Sequence, residues 1–184
     1  MGYHFSRRSR RFSVFGSLRV LAFAAVLAAM SIVCGKYLGI RVGDILRFSF
    51  ENLPILLAGM MFGPVVGSVV GVVADLVGCV LVGYTINPIV TIGAAVIGLL
   101  SGILYRGTAR LPTFARVLLT VGVAHFLGSV VIKTLGLSAF YDLPVVILML
   151  WRLLNYVIVG GLECLLIYPI LKNKAIQSLL NKQS

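Results

Sequence analysis

The 184-residue chain is 60% hydrophobic and only 11% charged, with a mean hydropathy of +1.08. Soluble domains carry roughly 25% charged residues, so this composition excludes a water-soluble sphere and points to lipid as the solvent. A net charge of +11 would also suit nucleic acid, but the basic residues gather in short groups between apolar runs, which argues for a membrane protein instead.

Arg7, Arg8, Arg10, Arg11 and Arg19 precede or open the first apolar run. Ser9-Arg10-Arg11-Phe12 has the look of a twin-arginine export signal, yet the run behind it lacks a polar cleavage region and leads into more apolar sequence. A retained first helix is therefore expected at about 17–38, behind a basic tail at 1–16. Gly39, Gly43 and Asp44 mark a loop, and 45–50 alternates apolar and polar residues as a short extended segment does. Helix 2, about 53–62, is short for a crossing and ends at Gly63-Pro64, since proline lacks a backbone donor and fits a helix start.

Helix 3 is placed at 64–82, a turn-rich loop at 83–88, helix 4 at 89–105, and a basic return at Arg106, Arg110 and Arg116. Helix 5 follows at 117–135, a second loop at 136–143, helix 6 at 144–171, and a tail at 172–184 with Lys172, Lys174 and Lys182. Six crossings of roughly 20 residues consume about 120 residues. With an even number of crossings the basic groups share one face, which the positive-inside rule makes cytoplasmic. The expected fold is all-α: one integral-membrane domain over 1–184, a six-transmembrane-helix bundle with both termini cytoplasmic and no nucleic-acid partner.

Small residues recur at helical spacing in Gly59, Gly63, Gly67 and Gly71 and in Ala94, Gly98 and Gly102. Such rows let helix backbones approach where no hydrophobic effect joins them. On helix 1, Ala24 with Ala28 and Ala25 with Ala29 form a flat surface that serves either internal packing or a partner's helix. Asp75 continues the glycine row into the bundle interior, where a charge costs roughly 2.5–3.5 kcal/mol. It is either a functional residue or half of a buried pair with Lys133 or Arg152.

Lys36, Arg41, Arg47, Lys133 and Arg152 concentrate at the end opposite the basic loops, beside Phe48, Phe50, Tyr84, Phe140, Tyr141 and Trp151. Cations next to ring faces suit a flat, aromatic, anionic ligand. Glu163 is expected to pair with a basic residue such as Arg19 or to stay neutral, and His125 to be a hydrogen-bonded interior residue. Cys34, Cys79 and Cys164 have neither disulfide nor zinc spacing, so no metal site is expected. No phosphate loop, metalloprotease motif or nucleophile elbow occurs, and five acidic residues leave little for acid–base catalysis. A binding protein without catalytic residues is expected.

The stretch Arg47-Phe48-Ser49-Phe50-Glu51-Asn52-Leu53-Pro54-Ile55, then Leu57-Ala58-Gly59-Met60-Met61-Phe62-Gly63-Pro64 and Val73-Ala74-Asp75-Leu76, closely resembles the folate-family S component of energy-coupling factor (ECF) vitamin transporters. The resemblance extends over essentially the whole chain. It implies a six-helix bundle that captures its vitamin from outside, and it names partners: a transmembrane T component and two cytoplasmic ABC ATPases that hydrolyse the ATP. It implies that the helix 1 alanines, Ala24 and Ala28 or Ala25 and Ala29, dock on the T component. The ligand implied is folate, with no cofactor. Arg47, Lys133 and Arg152 would attract its anionic part and stack on the rings, Asp75 or Asn87 would pair with the amino-pyrimidine edge, and Phe48, Ser49 and Asn155 complete the expected substrate-binding set. Transport by toppling of the loaded bundle is implied too. Two alternatives stay open: an S component for riboflavin or thiamin, and a solitary small-molecule transporter.

Overall fold

The computed structural model describes residues 18–42, 46–141, 144–173 and 176, leaving aside the side chains of 40–42, 46, 47 and 141. His4, Arg7, Arg8, Arg10, Arg11, Gly43, Asp44, Lys174 and Lys182, and the side chains of Arg41, Arg47 and Tyr141, thus lie outside the described residues.

Helix α1, Leu18–Ile32, runs on into a π-helical turn at Val33–Tyr37. A small hairpin follows, in which β1 (Ile40–Val42) and β2 (Leu46–Phe48) pair antiparallel with Arg41 opposite Arg47. The extended pattern at 45–50 anticipated β2; its pairing with 40–42 did not show in the sequence. Helix α2 spans Asn52–Phe62, roughly 16 Å at 1.5 Å per residue, half of the hydrocarbon thickness. Asn52 and Pro54 to Met60 are all buried, so neighbouring helices rather than lipid surround this short segment.

Gly63 turns the chain at φ 105°, a conformation that favours glycine, and Pro64 opens α3, Pro64–Val82. Asn87 caps α4, Pro88–Gly107, accepting from the backbone N–H of Ile89 and Val90, with Pro88 in the first turn. Helix α5 (Thr113–His125), a π-helical segment (Phe126–Ile132) and α6 (Lys133–Tyr141) then form one unbroken rod. This corrects the loop expected at 136–143. Gly136 reads as a helix breaker, yet it stands in the helix as a contact point, because a Cβ there would lie 2.8 Å from Ile89 Cβ. Helix α7, Val145–Lys172, closes the bundle.

Five of these segments, Leu18–Tyr37, Pro64–Val82, Pro88–Gly107, Thr113–Phe140 and Val145–Lys172, are long and apolar enough to cross a membrane, and α2 adds a shorter apolar helix. The glycine rows work inside the bundle. A Cβ on Gly98 would stand 2.1 Å from the Gly67 carbonyl oxygen, and one on Gly71 2.4 Å from that of Ala94, so α3 and α4 meet backbone to backbone. Around them Leu56, Val66, Val70, Ile97, Val117, Val121 and Ile167 form the core, while Val146, Leu150, Val157 and Leu165 of α7 point outward as a lipid-facing surface.

Candidate functional site

Because α2 covers only part of the bundle's height, a cavity of about 510 Å³ opens at the end of the bundle where α2 begins. That volume falls in the range of small-molecule sites, roughly 300–1,000 Å³. The opposite end carries Arg106, Arg110, Arg116 and Lys172, with the Arg116 guanidinium 3.6 Å above the Tyr105 ring.

On one wall the π-helical turn after α1 presents Lys36, whose Nζ lies 3.8 Å from Cys79 Sγ and 5.6 Å from the Tyr84 ring centre. Gly78 makes room for it, since a Cβ there would sit 2.8 Å from Lys36 Cε. Glu51, just ahead of α2, rests on Gly35 in the same manner, and its carbonyl accepts from Ser31 Oγ at 2.6 Å. Lys133, at the start of α6, crosses to this wall: its Nζ meets Glu51 Oε1 at 2.8 Å and Asn52 Oδ1 at 3.4 Å. The Lys133 stem lies against Gly93 of α4, where a Cβ would be 2.7 Å from Lys133 Cγ.

The other wall comes from α7. Arg152 donates from Nη1 to the Ser129 carbonyl at 2.9 Å, Trp151 and Asn155 line the cavity beside it, and Tyr156 donates to the Gly122 carbonyl at 3.1 Å. At the floor His125 Nε2 contacts Glu163 Oε2 directly. Lys36, Lys133 and Arg152 face this space against the single carboxylate of Glu51, so the described lining is electropositive. Tyr84, Trp151 and Tyr156 add ring faces. The arrangement suits an anion with a flat aromatic part.

Of the residues expected from sequence, Ser49, Asn87, Lys133, Arg152 and Asn155 line the cavity. Phe48 and Asp75 are not in its wall, and the Arg47 side chain lies outside the described residues. Asp75 is not paired with Lys133 or Arg152, as one expectation had it: its Oδ2 accepts from Thr91 Oγ1 at 2.6 Å, while Lys133 has gone to Glu51. The Asn87 amide is partly committed, with Oδ1 accepting from two backbone N–H groups and one Nδ2 hydrogen donated to the Gly136 carbonyl at 2.8 Å. Glu163 takes His125 rather than Arg19 as its partner, because α5 and α7 pack directly against each other. Lys36, one of the cations expected at this end, also lines the cavity, whereas the wall roles of Glu51 and Asn52 do not show in the sequence. Contacts between residues 51 and 133 leave no local signal, though His125, Ser129 and Lys133, all cavity-lining, are spaced by fours and thus fall near one helix face.

Comparison with known proteins bears on this site. The profile of a family described as "ECF transporter, substrate-specific component" matches residues 19–181. The folate transporter FolT of Clostridium novyi (strain NT) is 27% identical over 152 residues, which cover 82% of this chain and 87% of that protein. The crystal structure of FolT bound with folic acid superposes with a TM-score of 0.67 at 26% identity, covering 82% of this chain and 90% of that one. The S component for biotin from an ECF-type ABC transporter superposes at 0.63 with 19% identity, covering 84% and 92%, a likeness of fold.

Proposed function

The chain belongs to the family of substrate-specific components of ECF transporters, and from that premise we propose that it captures folate in the cavity described above and delivers it inward together with a T component and two ABC ATPases. The observation that carries the ligand is the lining: Lys36, Lys133 and Arg152 against Glu51, among the rings of Tyr84, Trp151 and Tyr156. Folate brings two carboxylates and a flat pterin, which match those charges and faces. The FolT relative and the FolT structure that holds folic acid support the same ligand. Each charge-assisted hydrogen bond contributes about 1.5–3 kcal/mol.

In this reading Lys133 and Arg152 hold the anionic part, and Arg47 and Phe48 of the hairpin belong to the same substrate-binding set. Ser49 and Asn155 supply further hydrogen bonds. Asn87 keeps one amide N–H for the pterin edge, and Asp75 acts behind the wall by fixing Thr91. The protein is a binding subunit rather than an enzyme, and its family is one of membrane-embedded transporter components. For the T component the exposed pair Ala25 and Ala29 is the docking surface, because Ala24 and Ala28 are each only 6% exposed and already packed inside the bundle. ATP hydrolysis in the partners would then topple the loaded bundle, a motion made tolerable by an exterior with few charges to drag through hydrocarbon.

Titrating the purified protein with folate, riboflavin, thiamin and biotin tests the ligand. Folate is expected to bind at least tenfold more tightly than the rest. Tighter binding of riboflavin or thiamin would replace folate as the ligand.

A further inference from the structure

Below the cavity α5 and α7 hold a titratable pair that the binding reading leaves unused. His125 Nε2 and Glu163 Oε2 are in direct contact, and the two residues are 3% and 0% exposed. Glu163 Oε1 has no hydrogen-bond partner among the described residues, a costly arrangement for a buried carboxylate anion. His125 is at the same time part of the cavity lining. With Nε2 committed to Glu163, Nδ1 is the ring nitrogen left for anything that occupies the cavity.

The number of protons on this dyad decides what Nδ1 offers. With one proton, Nε2–H donates to the carboxylate and Nδ1 is an acceptor. With two, shared as imidazolium and carboxylate or as neutral imidazole and carboxylic acid, Nδ1 carries hydrogen and becomes a donor. Lys36, Lys133 and Arg152 line the same cavity as His125, so an anionic ligand that enters it brings negative charge beside a dyad whose second carboxylate oxygen has no partner among the described residues.

We propose that His125 is a ligand-contacting, specificity-determining residue that donates Nδ1–H to an acceptor atom of the ligand's heteroaromatic ring, with Glu163 as its positioning residue. The dyad takes up a proton as the ligand enters and returns it on release. This rests on the folate reading of the cavity. The ring-lined floor favours the aromatic end of the ligand there: the His125 and Tyr156 ring centres are 5.7 Å apart, and Lys133 and Arg152 stand higher on their helices. Nearby titratable groups are Tyr156 and Cys164 with Arg152 on α7, Lys133 on the same rod as His125, Glu51 beside Lys133, and Lys36 with Cys79 across the cavity. Helix α4, which also packs on this rod, carries only Tyr105 and Arg106, at its far end. Histidine is the side chain among these types that ordinarily changes charge between about pH 5 and 8.

Calorimetry of folate binding in two buffers of different ionisation enthalpy near neutral pH counts the protons. The native protein should take up a fraction of a proton or more per folate, and its affinity should fall as pH rises through neutrality, by up to about tenfold per pH unit. His125→Gln, which keeps a polar group at the Nε2 position but none at Nδ1, should bind folate about tenfold more weakly and take up no proton. His125→Asn, whose amide reaches the Nδ1 position, should regain most of the affinity without the uptake. Glu163→Gln should lower the uptake. Zero uptake by the native protein, or His125→Gln binding folate as the native protein does, overturns the proposal while leaving folate as ligand. Absence of any folate binding at any pH overturns the folate reading, and this inference with it.

Discussion

Lys133 illustrates how single residues set the character of the cavity. Its long stem crosses a space left by Gly93, and its ammonium ends between Glu51 and Asn52, so the cation is oriented before any ligand arrives. Lys133→Met should weaken folate binding roughly ten- to a hundredfold, read by titration, because it removes one charge-assisted partner and leaves Glu51 facing an anion. Arg47→Ala and Asp75→Ala should each weaken binding as well, Arg47 through lost attraction and Asp75 through release of Thr91. Unchanged affinity in both would remove those residues from the site. The cations were legible in the sequence as residues at one end of the bundle. Their partners were not, because Glu51 and Lys133 meet through tertiary packing, and Asp75 takes the hydroxyl of Thr91 in place of the pairing with Lys133 or Arg152 that one alternative expected.

Among the elements, the helices were legible because each apolar run is long and bounded by glycine, proline or charge. Even the shortness of α2 showed in the early Gly63-Pro64 break. What escaped was the continuity of the rod from Thr113 to Phe140, since Gly136 signals a turn locally and serves a helix contact globally, and the π-helical segments, which have no compositional mark. The contact of α3 with α4 depends on glycine in the same manner. Gly98→Leu should destabilise the protein by about 1–3 kcal/mol or more, seen as a lower unfolding temperature in detergent, since its side chain would collide with the Gly67 backbone. A substitution at Gly161, whose Cβ would meet nothing within 4 Å, is the control and should leave that temperature nearly unchanged.

The whole molecule divides its labour between two ends and an outer surface. One end is an electropositive, ring-lined cavity; the other gathers Arg106, Arg110, Arg116 and Lys172; the flanks are apolar. Helix α1 carries alanines on both its buried and its exposed face, a distinction that spacing alone left open because Ala24, Ala25, Ala28 and Ala29 overlap in register. The double variant Ala25→Leu, Ala29→Leu should bind folate normally and keep its stability, yet lose co-purification with the ECF partners and folate uptake by cells. Ala24→Leu should instead lower stability, as its side chain enters the packed core.

Mass spectrometry of the small molecule released from the protein after purification from cells tests the central claim most directly. A cationic, aromatic cavity in an S component is expected to retain a folate at close to one copy per chain. Recovery of an uncharged or cationic compound at that stoichiometry, with folate unable to displace it, would contradict the account.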